Sequence, residues 1–378
     1  MLPSITKIQE TPCYVYDMVL LRSTIDEIKR NIQGYPAIVH YAIKANYAPE
    51  ILATIAATGL GADLVSGYEL QAALDAGFKP SQLAFSGVGK TDWDIKAGLD
   101  HDIFCFNVES FPELQNISDI ATACGKVANI AIRVNPNINA HTHRYVTTGV
   151  AENKFGINLN LLDDIVDMAL RLPGIHLRGL HFHIGSQIMT MRPYKLLCGR
   201  INELQDHFNA RGIFFEIINA GGGLGVDYDN PDEHPIADFK GFFDVFKANL
   251  KLREGQQLHF EFGRSVVAQC GTLLSRVLYV KDNGNKQFVI LDAGMTDLIR
   301  PALYQSHHLI QNLTSKSERC QNYDVVGPVC ESSDVFGRDE QLPVTTRGDL
   351  IAIRSAGAYG ESMSSRYNMR PLPHHQFI

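Results

Sequence analysis

The sequence predicts an α/β protein: a (β/α)8 TIM barrel joined to a C-terminal antiparallel β domain that also takes in the N-terminal strand. Three observations predict it. From residue 37 onward, eight short apolar runs alternate with amphipathic segments, the pattern of parallel βα units. After residue 264 the texture changes to strand-like runs such as Gln287-Phe-Val-Ile-Leu291 and Asp349-Leu-Ile-Ala-Ile353, bounded by Gly, Pro and Asp turns. The stretch Thr11-Pro-Cys-Tyr-Val-Tyr-Asp17 is strand-like and precedes the first barrel strand, so it is expected to pair with the C-terminal domain. The expected boundaries are 26–265 for the barrel, and 1–25 with 266–378 for the β-rich domain.

The eight runs fall at 37–44, 61–66, 83–87, 103–108, 129–135, 177–185, 214–221 and 258–263. Helical spacing is clear at 67–76, 110–124, 161–171, 192–211 and 236–251, and Pro49 opens a further helix after the first run. Residues 136–160 form a long connection rich in Asn, His and Thr. Long loops of that kind in compact domains are often functional, and a lid over the site is expected there.

Composition narrows the function. With 45% apolar and 20% charged residues the chain is ordinary globular material, and a net charge of −7 with no basic stripe argues against nucleic acid. No apolar run reaches the roughly 18 residues of a membrane span. The first ten residues lack the charged and then apolar regions of a signal peptide, so a cytoplasmic protein is expected. Seven cysteines without a Cys-x-x-Cys pair fit reduced thiols rather than a disulfide framework or zinc site. His141 and His143 lack a third ligand nearby, so no metal is expected.

Chemistry concentrates at the strand ends, where barrels of this class carry their active sites. Lys44 closes the apolar run Ala37-Ile-Val-His-Tyr-Ala-Ile43, and an amine there can form a Schiff base. Asp63 and Ser66 sit on the second run, His183-Ile-Gly-Ser186 ends the sixth, Gly221-Gly-Gly-Leu-Gly225 follows the seventh, and Glu261-Phe-Gly-Arg264 ends the eighth. Together they supply an amine, an aromatic ring, backbone donors and a carboxylate, the set that a phosphate-bearing aldehyde cofactor needs. Each has a plainer reading: a tight turn for the glycines, a surface Glu261–Arg264 pair, and a core histidine at His181 or His183. A carboxylate at an apolar strand end is costly to bury alone, so a cationic partner for Glu261 is expected.

Taken together, Lys44 in His-Tyr-Ala-Ile-Lys-Ala-Asn, His183-Ile-Gly-Ser, the Gly-Gly-Gly turn, Glu261-Phe-Gly-Arg, Gly327-Pro-Val-Cys-Glu331 and Ala356-Gly-Ala-Tyr359 resemble the alanine-racemase-fold decarboxylases that use pyridoxal phosphate. The motifs run in family order over nearly the whole chain and lie nearest to members acting on diaminopimelate. One departure is Phe262, where that family usually has proline. The resemblance implies that Lys44 carries pyridoxal 5'-phosphate, that His183 stacks on its ring, and that Glu261 faces the ring nitrogen. Asp63, Ser186, Gly222, Gly223, Gly263, Arg264 and Tyr359 would complete cofactor binding. It also implies that Cys330 returns a proton to the product carbon, with Glu331 beside it binding substrate. Both would reach in from a second subunit, giving a homodimer with shared active sites.

The implied substrate is a small amino acid. A diaminodicarboxylate brings a distal carboxylate and ammonium, and Arg264, Arg300, Tyr304, Glu331 and Tyr359 supply the matching cations, anion and hydroxyls. Ornithine and lysine lack that carboxylate and should be rejected, because stranding buried charge costs several kcal/mol. The expected reaction is decarboxylation of meso-2,6-diaminopimelate to L-lysine and CO2. The alternative is a related decarboxylase of the same fold acting on ornithine, arginine or carboxynorspermidine.

Overall fold

The structure is a computed structural model and describes residues 10–138 and 154–378. It divides into two compact units, Ile25–Gly225 with Asp238–Gly263, and the segments up to Thr24, Val226–Ala237 and Arg264–Ile378. The expected lid falls largely on 139–153, with His141 and His143, and these lie outside the described residues.

In the first unit the strands Ala37–Ala42, Gly61–Leu64, Leu83–Phe85, Cys105–Val108, Ala128–Asn135, Ile175–Phe182, Ile217–Gly222 and Gln257–Phe262 form a parallel sheet. The last pairs with the first, Leu258 against Ala37 and Phe262 against Tyr41, which closes the barrel. Because every strand is parallel, all eight C-terminal ends open on one face. Helices Pro49–Ala56, Gly67–Asp75, Asp92–Asp100, Phe111–Ala123, Leu162–Arg171, Arg192–Ala210 and Phe239–Asn249 follow the first seven strands in turn.

Local chemistry explains where these helices begin. Ser66 and Ser110 accept the backbone N–H groups of Glu69 and Glu113, satisfying donors that the helix itself leaves open. Thr91 and Asp94 form a reciprocal capping box at the start of Asp92–Asp100, a helix whose weak apolar periodicity hides it from a spacing analysis. The helix Met18–Ile32 was likewise not expected from the sequence.

Alternation on the eighth strand sorts its side chains. Phe260 and Phe262 face the helix Phe239–Asn249, where Phe262 meets the Phe242 ring edge-on at 5.0 Å and the Phe239 ring at 5.3 Å. Glu261, between them, points the opposite way, into the barrel. The departure at Phe262 is thus absorbed by an aromatic layer outside the barrel, with Phe262 fully buried. On the inner side, at the other end of the strands, His40 and His259 share a 2.8 Å hydrogen bond and stack with Phe104, so these rings fill space below the site.

The second unit holds an eight-stranded sheet, to which Cys13–Tyr16 contributes a strand antiparallel to Gly271–Asp282, as expected for the N-terminal segment. The sheet is mixed rather than purely antiparallel. Cys13–Tyr16 runs parallel to His374–Phe377, and Gln287–Leu291 runs parallel to Cys320–Val326. The second pairing requires a long crossover, and residues 292–319 provide it, carrying the short helix Arg300–Tyr304 and the strand Ile310–Asn312. Composition carries no signal for that crossover, which is why the antiparallel expectation was too simple.

Candidate active site

Lys44 lies in a single 3-10 turn, Ile43–Ala45, at the end of the first strand. The turn is locked from behind: the Tyr41 hydroxyl donates to the Asn46 carbonyl at 2.8 Å, and Asn46 Oδ1 accepts the Ala48 N–H at 2.9 Å. Ile43 and Ala45 are buried, while the Lys44 side chain is 41% exposed and its Nζ lies 2.9 Å from Asp63 Oδ2. A lysine anchored at its base, part-exposed along its side chain and held at its amine by Asp63, is suited to condensing with an aldehyde.

From Asp63 a file of hydrogen bonds crosses the barrel. The Ser86 hydroxyl donates to Asp63 Oδ1 at 2.6 Å, and the Asn107 amide donates to Ser86 Oγ at 2.9 Å and to Glu261 Oε1 at 3.1 Å. Asn219 donates to the same Glu261 oxygen at 2.6 Å, and His181 Nε2 to Glu261 Oε2 at 3.0 Å. The partner that meets the buried Glu261 carboxylate is His181. Burial by itself would raise the Glu261 carboxyl, but His181 beside it, helped by Lys44 and His183, holds it well below the usual carboxylate range. The result is an ionised carboxylate in the middle of the barrel.

The glycine turn is tied to that carboxylate. Asn219 Oδ1 accepts the Gly221 N–H at 2.9 Å, and the Gly222 N–H donates to His183 Nδ1 at 3.4 Å. A Cβ on Gly222 would collide with the Glu261 carbonyl oxygen, and Gly223, at φ +93°, would collide with the Gly185 carbonyl oxygen. Only glycine lets these backbones close on one another at the strand end, a side-chain-free turn of the kind that can receive an anion. Burial and the nearby Arg133 push the His183 imidazole down to about 3, so it is a neutral ring, suited to stacking. Ser186 follows on the same turn and is half-buried. Gly263 directly follows the eighth strand, one residue before Arg264.

The second unit gathers another group. Arg264 donates to the Tyr228 hydroxyl at 2.8 Å and lies 5.1 Å over the Tyr359 ring, while Arg300 lies 4.8 Å over the Tyr228 ring. Tyr304 adds to the electrostatic surroundings of Arg264. Arg264 and Arg300 are both buried. Cys330 and Glu331 are not part of this cluster. Both are exposed on the loop 327–334, where the Cys330 N–H donates to Asn368 Oδ1 at 3.4 Å and Glu331 accepts from the Tyr367 hydroxyl at 2.7 Å. Asp334 folds that loop by accepting the Val329 N–H at 2.7 Å.

Sequence reasoning missed Ser86, Asn107, Asn219, Tyr228 and His308, and left the role of His181 open. The first three had a signal available: each is a small polar residue within or at the end of an apolar barrel strand, at an inward position.

The barrel residues fit pyridoxal phosphate on four counts: an accessible amine, an ionised carboxylate across the barrel, a neutral imidazole, and a glycine cradle that any side chain would fill. Comparisons with known proteins agree. Residues 20–268 match the pyridoxal-dependent decarboxylase pyridoxal binding domain. A diaminopimelate decarboxylase of Bacteroides thetaiotaomicron is 55% identical over 96% of this chain and 94% of its own length. That of Vibrio cholerae is 42% identical over 96% of this chain and 86% of its own. The crystal structure of diaminopimelate decarboxylase from Helicobacter pylori complexed with L-lysine superposes with a TM-score of 0.94 at 39% identity, covering 100% of this chain and 94% of that one. A carboxylate-anchored amine, a glycine cradle and these relationships lead to one assignment: the chain belongs to the pyridoxal-dependent decarboxylases, as a member of the diaminopimelate decarboxylase family.

Proposed function

We propose that the chain decarboxylates meso-2,6-diaminopimelate to L-lysine and CO2, the last step of lysine biosynthesis. The observation that carries the substrate assignment is the pair of buried arginines, Arg264 and Arg300, gathered around one tyrosine in the second unit. Two buried guanidiniums call for an anion, and diaminopimelate keeps a distal carboxylate that ornithine, arginine and carboxynorspermidine do not offer in the same form.

Pyridoxal phosphate, when bound, supplies the electron sink for the carbanion left by CO2. Lys44 would hold its aldehyde, and Asp63 orients the amine. His183 would stack on the ring, Glu261 would hold the proton on the ring nitrogen, and the Gly222, Gly223 and Gly263 backbone, with Ser186 and Tyr359, would hold the phosphate. Arg264, Arg300, Tyr304, Glu331 and Tyr359 bind the distal end of the substrate. The Cys330 thiol would give its proton to the product carbon, leaving a thiolate.

We also infer a homodimer with shared sites, supported by the exposure of Cys330 and Glu331 on a loop apart from the arginine cluster. The seven cysteines are all free thiols, which supports a reducing compartment, the cytoplasm. Among the described residues no helix is long and apolar enough to cross a membrane.

The test is CO2 release from meso-diaminopimelate, ornithine, arginine, lysine and carboxynorspermidine assayed side by side. Turnover of diaminopimelate alone is expected; turnover of ornithine alone would overturn the substrate assignment. For the dimer, mixing Lys44→Ala with Cys330→Ala subunits should restore about a quarter of wild-type activity, because half the reassorted dimers carry one intact site. No recovery on mixing would contradict a shared site.

A further inference from the structure

Tyr228 and His308 belong to no motif that the family resemblance brought forward, yet both sit inside the arginine cluster. Tyr228 arrives there on the segment Val226–Ala237, which belongs to the second unit although it follows the glycine turn directly in sequence. Its backbone carbonyl accepts the Leu309 N–H at 3.2 Å, and Gln269 Nε2 donates to the Asp227 carbonyl at 3.1 Å, so the segment is fixed on both sides.

The Tyr228 hydroxyl accepts from Arg264 at 2.8 Å, while the face of its ring lies under Arg300 at 4.8 Å. Burial would raise this phenol, but Arg264 and Arg300 together bring it below its ordinary value. One phenol therefore meets two cations, Arg264 at its oxygen and Arg300 at its ring face.

His308 completes the arrangement. Arg300 NH1 can only donate, so His308 Nε2 accepts at 2.8 Å, and Nδ1–H then donates to the Arg354 carbonyl at 2.8 Å. That pairing fixes the neutral tautomer, and burial keeps the ring from taking a proton beside Arg300. The His308 ring also packs edge-on against Tyr228 at 4.9 Å. Arg300, 3% exposed, retains a buried Nε with no partner, and among the described residues no carboxylate forms an ion pair with it.

We propose that Tyr228 and His308 are positioning residues of the distal-carboxylate site, holding the Arg264 and Arg300 guanidiniums side by side so that they receive the second carboxylate of a diaminodicarboxylic acid. The inference rests on the decarboxylase reading and deepens it. Without ligand, the phenol, with its oxygen on Arg264 and its ring face under Arg300, screens two buried cations that would otherwise repel and spread. With ligand, a carboxylate takes the edges of both guanidiniums, and the rings of Tyr228 and Tyr359 keep supporting their faces. Specificity then depends on residues that themselves need not touch the substrate.

The experiment uses the full-length holoenzyme and its Tyr228→Phe variant, which keeps the ring and removes the oxygen. The KM for meso-diaminopimelate should rise about tenfold, as for one lost charge-assisted hydrogen bond, with kcat changed much less. Inhibition by L-lysine, which retains a carboxylate, should weaken in parallel, whereas inhibition by 1,5-diaminopentane, which has none, should not. His308→Leu should repeat this pattern, and His308→Gln, whose amide oxygen can accept from Arg300, should recover most of the affinity. A second readout is independent of turnover. In protein carrying tyrosine labelled with carbon-13 at Cζ, the resonance lost in Tyr228→Phe should shift on adding L-lysine and stay in place with 1,5-diaminopentane. An unchanged KM in Tyr228→Phe, or a Tyr228 resonance indifferent to L-lysine, overturns the proposal. Wild-type enzyme that releases no CO2 from diaminopimelate would sink the decarboxylase reading instead, and the comparison of resonances would still decide the role of Tyr228.

Discussion

Asn107 and Glu261 are joined by a 3.1 Å hydrogen bond across the barrel, and because the same Asn107 amide also donates to Ser86 at 2.9 Å, the Lys44 end and the Glu261 end of the site form one connected structure. The link runs through Asp63, which accepts from Ser86 and faces the Lys44 amine. Every member except Lys44 is buried, so each donor removed strands an acceptor in a medium that cannot replace it.

Asn107→Leu should therefore cost about 1–3 kcal/mol of stability, the range for leaving a buried polar partner unmet. Denaturant unfolding with and without cofactor measures it. The loss should appear in both, since the file of hydrogen bonds belongs to the protein alone.

Glu261→Gln should lower kcat by on the order of a hundredfold to a thousandfold, the scale for removing a preorganised charge from a reacting centre. It also has a consequence for acid stability. The folded carboxyl titrates below its ordinary value of 4.5, so its contribution is complete above that pH and is lost progressively as the pH falls toward the folded value. Thermal unfolding of wild type followed from neutral pH into acid should fall more steeply below about pH 4.5 than that of Glu261→Gln.

Two glycines offer a paired test. At Gly222 a methyl group would strike the Glu261 carbonyl, a backbone atom that cannot step aside, so Gly222→Ala should abolish tight cofactor binding in an absorbance titration. Gly199 lies in the helix Arg192–Ala210 with nothing within 4 Å of an added Cβ. Gly199→Ala should leave binding unchanged and raise stability by about 0.5–1 kcal/mol.

Phe262→Ala should cost about 3–5 kcal/mol, the range for emptying a buried aromatic position. The packed neighbours Phe239 and Phe242 lie outside the barrel, so the loss should show in unfolding free energy more than in KM.

The barrel was legible because its cause is local: alternating apolar runs and capped helices write a period into the chain, and Lys44, His183, the glycine turn and Glu261 each fall at a strand end. Ser86, Asn107 and Asn219 were not singled out, since a single amide or hydroxyl in an apolar strand acquires meaning only when closure brings strands from distant parts of the chain together. Tyr228 and His308 were hidden for a different reason. Tyr228 leaves the barrel sequence to join the other unit, and nothing in residues 226–237 announces the change. The parallel pairs of the second sheet were equally silent, being set by a long crossover rather than by composition.

The most direct measurement is release of labelled CO2 from carboxyl-labelled meso-diaminopimelate by the cofactor-loaded wild type beside Lys44→Ala supplied with the same cofactor. Wild type should release the label and yield L-lysine, and Lys44→Ala should give neither product nor the visible absorbance of the bound cofactor. Release by Lys44→Ala at the wild-type rate, or none from the loaded wild type, would contradict the assignment.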